Sequence, residues 1–214
     1  MRRFLLRSVA LAVATAVAAD GQALRPNSLR LSCDSTAFSP TIRLEDLVRR
    51  FGAENVTADS IAMGEGESEP GTLLFRADPH RRVEIVWQDH QRHSAPSMVR
   101  IDGASSLWTT DNGITLGTRL RTLEQLNGKP FRLAGFAFDG SGAIIDWSDG
   151  RLARSPTAKC SLAINVDPTV RDAADRRWYK QVTGDRDFSS SHPAMQALNP
   201  RVNELRLLYP PPAG

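Results

Sequence analysis

Apolar positions along this chain recur with two periods. Over residues 41–52, TIRLEDLVRRFG, Leu44, Leu47, Val48 and Phe51 fall at i, i+3, i+4 and i+7 with Gly52 behind them, which predicts a short amphipathic helix with a glycine stop. Residues 115–128, TLGTRLRTLEQLNG, repeat the plan: Thr118 can cap, Leu120 and Leu123 share a face, and Asn127-Gly128 end the helix in residues that tolerate positive φ. Each helix is followed by runs that read as strands. After the first come Asn55-Val56-Thr57, an acidic loop GEGESEPG, Leu73-Leu74-Phe75, a turn at Ala77-Asp78-Pro79, and Val83–Trp87. After the second come Phe131–Phe138, a Gly-rich turn Asp139-Gly140-Ser141-Gly142, and Ala143–Trp147. A turn of this composition between apolar runs is what a β-hairpin requires.

The order helix, hairpin, tryptophan thus occurs twice. Met98–Asp102 and Leu107–Thr110 read as further short strands. A helix is expected from near Pro168 or Thr169 to Gly184, a one-to-two-turn helix with Pro193 at its first position, and a last strand RVNELRLLYP with Val202, Leu205 and Leu207 or Leu208 turned inward. The fold class these elements predict is α+β: an antiparallel sheet with helices on one face, built from two tandem helix-plus-hairpin units at about 41–87 and 115–152 within a domain over 24–166. Residues 167–214 form a helix-strand extension packed on the same domain, closing in a solvated proline tail.

The N-terminus changes the charge picture. Arg2, Arg3 and Arg7 precede an apolar run that ends in small residues, Ala16-Val17-Ala18-Ala19, the pattern of a secretory signal peptide over residues 1–18. No later segment approaches the ~20 apolar residues a membrane span needs. The whole chain carries 27 Lys+Arg against 24 Asp+Glu, but without Arg2, Arg3 and Arg7 the two counts are equal. The electrostatic case for a nucleic-acid partner disappears with them. A protein with this leader is periplasmic or secreted.

In an oxidising compartment the two cysteines, Cys33 and Cys160, predict one disulfide, brought together by adjacent strands, with two separate buried thiols as the alternative. Closing so long a loop stabilises a fold by roughly 4–5 kcal/mol in the chain-entropy model. Asp139, Ser141, Asp146 and Asp149 supply oxygen atoms close in sequence, yet their spacing is not that of an EF-hand and fits turn chemistry better. His90-x-x-His93 beside Asp89, with His80 upstream, has part of a metal-site spacing but no visible further ligand. Ser190, His192 and Asp187 could be assembled into a nucleophile trio, but no nucleophile-elbow motif supports it. Neither a metal nor a cofactor is expected. The acidic Glu65, Glu67 and Glu69 read as a solvated excursion.

The tryptophans Trp87, Trp108, Trp147 and Trp178 are the remaining candidates. Trp87 and Trp147 end the two hairpins at equivalent places. Exposed, Trp87, Trp108 and Trp147, with Asp139 nearby, would form a binding face; turned inward, they would close each unit's core. The segments FGAENV, LLFRADPHRRVEIVW, GITLGTRLRTLEQLNGKPFRLAGFAFDGSGAIIDWSDGRL and LNPRVNEL resemble an uncharacterised group of exported bacterial, periplasmic proteins, and the tandem plan resembles the β-lactamase inhibitor protein-like fold. The resemblance implies a non-enzymatic envelope protein, binding or structural, that contacts another envelope or secreted protein. The competing expectation is a hydrolase of cell-wall or glycan material using Asp139, Asp146 and the histidine stretch.

Overall fold

The computed structural model describes residues 29–138, 140–153 and 159–211, so the leader expected over 1–18, Asp139 and the last residues of the proline tail lie outside the described residues. In chain order its elements are β1 (Arg30–Leu31), α1 (Leu44–Phe51), β2 (Val56–Gly64), β3 (Glu67–Leu74), β4 (Val83–Asp89), β5 (Ser94–Asp102), β6 (Thr109–Thr110), α2 (Leu120–Asn127), β7 (Arg132–Ala134), β8 (Ile144–Asp146), β9 (Ser161–Asp167), α3 (Ala173–Gln181), β10 (Asp187–Ser189), α4 (Pro193–Leu198) and β11 (Arg201–Leu208). The fold class is α+β. Its frame is a six-stranded antiparallel sheet in the order β2-β3-β4-β5-β11-β9, flanked by a three-stranded sheet β10-β7-β8 and a two-stranded parallel pair of β1 with β6.

Alternation along the central strands decides the layering. Val83, Ile85 and Trp87 of β4, Val99 and Ile101 of β5, and Leu205 and Leu207 of β11 all enter one core, where they meet Leu47 of α1, Leu120 and Leu123 of α2, and Ala194 and Met195 of α4. The helices therefore cover one face of the main sheet. Pro193 opens α4 as expected, and the His192 ring accepts the Ala194 amide at 3.1 Å. Helix α3 starts later than its sequence suggests, because the Asp172 carboxylate caps it by accepting the Asp175 amide at 2.8 Å.

The other sheet face carries a small second cluster of Ile61, Leu73, Val86 and Met98. It forms because Gly71 lacks a side chain: a Cβ there would stand 2.5 Å from both Ile61 Cγ1 and the Ile85 carbonyl oxygen. Beside this cluster Glu84 is buried, and burial of a lone carboxylate is costly. Arg100 and Arg82 both engage it, and Arg82 also reaches Asp102 at 3.0 Å.

Three expectations need correction. The acidic stretch is no loop excursion: Glu65 and Gly66, at φ 50° and 80°, make a tight turn, and Glu67–Leu74 continue as β3. Pro70 is tolerated within this strand because β4 pairs only with Gly71–Leu74, so no partner on that side needs its missing N–H. The second hairpin, β7 with β8, lies in the small sheet with β10, whereas β2, β3 and β4 of the first unit belong to the main sheet. Its turn approaches β9 closely, since a Cβ on Gly142 would lie 1.9 Å from the Val166 oxygen. Finally, Cys33 and Cys160 are joined in a disulfide across 127 positions, but not by neighbouring strands: Cys33 follows β1, which pairs with β6, and Cys160 precedes β9, which pairs with β11. Among the described residues no helix is long and apolar enough to cross a membrane.

Two stability changes are expected. Replacing Cys33 and Cys160 by Ser should cost about 2–5 kcal/mol in urea unfolding. An unchanged midpoint would show that the bridge does not constrain the fold. Gly71→Ala should cost about 1–3 kcal/mol through overpacking against Ile61 Cγ1 and the Ile85 carbonyl, and the same change should cost less in an Ile61→Ala background, where Cγ1 is gone, as a double-mutant cycle in urea would show.

Candidate functional site

The disulfide forms one wall of a cavity of about 190 Å³. Its apolar lining comes from Trp147, which follows β8, Leu152, Leu162 of β9, Leu207 of β11 and Ile114. Ser32, Asp34, Asp111 and Asn112 add polar groups to the lining. A mostly apolar lining with a few polar groups is the usual composition of a recognition pocket.

Each wall is held from behind. Trp147 is half-buried and packs its ring on Phe131 with centroids 4.9 Å apart. The loop carrying Trp147 and Leu152 is fastened to the end of α2 by the buried Asn127, whose Nδ2 donates to the Trp147 carbonyl at 2.9 Å and whose Oδ1 accepts the Leu152 amide at 3.1 Å. Arg151 donates to the Gln125 and Leu126 carbonyls, satisfying the open C-terminal end of the same helix. Among the polar lining residues, Asp34 pairs with Lys159 at 3.0 Å and Asp111 accepts from Arg30. Partial burial works against a charged Asp111, but the Ser32 hydroxyl and the Arg30 guanidinium together outweigh it and hold this carboxyl below its ordinary value.

The predicted site residues are distributed otherwise. Trp87 is fully buried, its Nε1 donating to Thr72 Oγ1 at 2.9 Å. Trp108 is buried against Phe38 and donates to the Arg81 carbonyl at 3.0 Å. These two rings close the core and present no outer face, because each stands at an inward position and its one polar atom is satisfied inside. Of the named tryptophans, Trp147 lines the cavity. Trp178 of α3 is half-buried against the core.

The candidate chemistry is likewise dispersed. Asp146 is exposed and accepts the Ser148 amide at 2.8 Å, a turn contact. His90 and His93 lie in the β4–β5 turn, which Asp89 holds by accepting the Gln91 and Arg92 amides, so they belong to a different sheet from Asp146. His80 Nδ1 contacts the Ser105 carbonyl. Ser190 donates to Glu124 at 2.6 Å, His192 caps α4 and Asp187 pairs with Arg132, so each member of that trio has a partner outside it. Among the described residues no three His, Cys, Asp or Glu side chains are grouped to hold a metal ion. Asp34, Asp111, Asn112, Ile114 and Leu152 carry no local motif. Only the pairing of Cys33 with Cys160 signalled that residues near 34 and 162 would share a wall.

No family model, curated protein or solved structure matches the chain.

The lowered Asp111 carboxyl gives a pH dependence. Its contribution to stability is present above the unfolded value, near ~3.9, and lost as pH falls through the lower folded one. The pair is largely solvated, so the size should stay within about 1 kcal/mol. Asp111→Asn is expected to lower the urea midpoint at pH 7, with the difference from the parent chain shrinking progressively as the pH is taken below the unfolded carboxylate value. A difference that persists unchanged in acid would mean that the Asn costs something other than charge.

Proposed function

We propose that the chain is an exported, non-enzymatic binding domain of the bacterial envelope, and that it holds an apolar anchor side chain of a partner protein in the cavity beside the Cys33–Cys160 bridge. The observation that carries this reading is the size and build of that cavity. At about 190 Å³ it is smaller than the ~300–1,000 Å³ of sites that enclose a small-molecule ligand, and it suits a single large side chain. Its walls are covalently tied by the disulfide and braced through Asn127, so little ordering cost accompanies filling it. A buried anchor ringed by polar contacts is how a few residues come to dominate a protein interface. Ser32, Asp34, Asp111 and Asn112 supply polar groups for such contacts. The disulfide itself fits an exported protein. Periplasmic residence and the likeness to exported envelope proteins belong to the same proposal, and the leader pattern supports them.

The test immobilises the oxidised chain from residue 19 onward and passes the exported protein fraction of its host over it, with Leu162→Trp, which fills the cavity, on a parallel support. A saturable partner retained by the parent and weakened at least tenfold by Leu162→Trp, with unchanged far-UV circular dichroism, is the expected result. Equal retention by both would move the interface elsewhere. No retention above a reduced, unfolded control would end the protein-binding reading.

A further inference from the structure

A second concavity, of about 390 Å³, is lined by Arg119, Arg121, Arg171 and Arg201 together with Thr169 and Asn199. The chain builds it by bringing the start of α2 against the junction of α4 and β11. Arg119 and Arg201 oppose each other in an isolated antiparallel bridge, and the Leu120 amide donates to the Pro200 carbonyl at 2.8 Å. Asn199, in the left-handed region at φ 44°, ends α4 and turns its Oδ1 to accept the Arg121 amide at 3.2 Å.

The guanidinium groups are oriented mainly by neutral oxygens. Arg121 Nη2 donates to the Gln196 carbonyl at 2.6 Å and Arg201 Nη1 to the Gly117 carbonyl at 3.3 Å. Among the described residues the ion pair at this concavity is that of Arg171 with Asp175, at 3.2 Å. Asp167 faces Arg201 in the β9–β11 register, yet no ion pair joins them, and desolvation alone acts on its carboxyl, raising it. Arg119, Arg121 and Arg201 are therefore uncompensated.

All four arginine side chains are exposed, so water screens their repulsion without removing it. Like charges directly opposite on paired backbone repel. Arg119 and Arg121 also occupy the N-cap and the first turn of α2, where the helix field is positive and cations are disfavoured. The excess is local, since outside the leader the chain has as many acidic as basic side chains. Several other arginines do have carboxylate partners, Arg82 and Arg100 sharing Glu84, Arg76 meeting Asp59 and Arg132 meeting Asp187, so what marks this concavity is that three unpaired ones are gathered in one place.

We propose that this concavity is a binding site for a phosphate group carrying two negative charges. Guanidinium forks match the tetrahedral oxyanion bidentately, and a dianion removes the repulsion between Arg119 and Arg201. The volume admits a phosphoryl group with part of whatever carries it. The carrier is either a soluble phosphorylated compound or a lipid headgroup, and both present the same phosphomonoester chemistry.

The experiment uses the full oxidised chain at constant ionic strength. Inorganic phosphate is titrated against matched chloride by calorimetry and thermal unfolding; separately, vesicles of phosphatidylcholine with and without phosphatidic acid are co-sedimented with the protein. Saturable phosphate binding, or retention only on phosphatidic acid vesicles, supports the site and separates a soluble carrier from a membrane one. Arg119→Gln and Arg201→Gln should each weaken the supported interaction at least tenfold while leaving the unfolding temperature in chloride unchanged or higher, which a purely structural arginine would not do. Arg121→Gln serves as the third variant should either fail to fold. Neither phosphate nor phosphatidic acid binding above its control would overturn the proposal, as would binding that the arginine variants leave unchanged.

Discussion

The covalent link between Cys33 and Cys160 is the constraint on which the N-terminal part of the structure depends. Strand β1 is two residues long and pairs with a strand equally short, a ladder with little stability of its own. What keeps it in place is the bridge, together with the tilted packing of Phe38 on Trp108 and the hydrogen bond from the buried Tyr209 hydroxyl to the Phe38 carbonyl at 2.6 Å. Tyr209 lies just beyond β11, so the first and last described segments of the chain meet across the core. The cavity exists only while that closure holds, because its two cysteine-bearing edges come from segments that share no strand pairing.

Electrostatics in this molecule follow two different rules. Within the main sheet, a charge that leaves water is answered by an opposite one: Glu84 is almost wholly buried and is held between Arg82 and Arg100. At the α2–β11 junction, positive charges gather with backbone carbonyls as their contacts. The first pattern is a device of folding. The second is a local excess of positive charge, lined by residues other than those of the apolar cavity beside the disulfide.

Much of the fold was legible because its signals are local. The 3.6-residue spacing of Leu44, Leu47 and Phe51, the Asn127-Gly128 stop and Pro193 at a helix start are read within one or two turns of chain, and α1, α2 and α4 stand where they indicate. Inward alternation of Val83, Ile85 and Trp87 was equally plain, and taken at face value it already places Trp87 in the core. What was not legible is pairing between distant segments. Nothing near β7 announces that β10, more than fifty positions away, will pair with it and form a separate small sheet. The cavity draws on residues from 31 to 207 and the arginine concavity on residues from 119 to 201, and in neither do the members share a spacing. Sites assembled at this range have no sequence signature except the cysteine pair.

The two borders of the six-stranded sheet are treated unequally. On β9 the Val166 amide donates to the Gly142 carbonyl and Asn165 bridges Ala143, so part of that border is already occupied. Strand β2, at the other border, pairs on one side with β3 and is nine residues long. Among the described residues no strand pairs with its outer side, and such a border is where a second molecule can continue a sheet. Glu65, Glu67 and Glu69 crowd the tip of the β2–β3 hairpin, and the register shift between Ala62 and Gly64 bends the strand just before it. A second copy continuing the sheet in the parallel sense would set these carboxylates against one another, whereas an antiparallel approach would leave them at opposite ends of the seam, so the acidic tip disfavours one of the two ways in which the sheet could be extended.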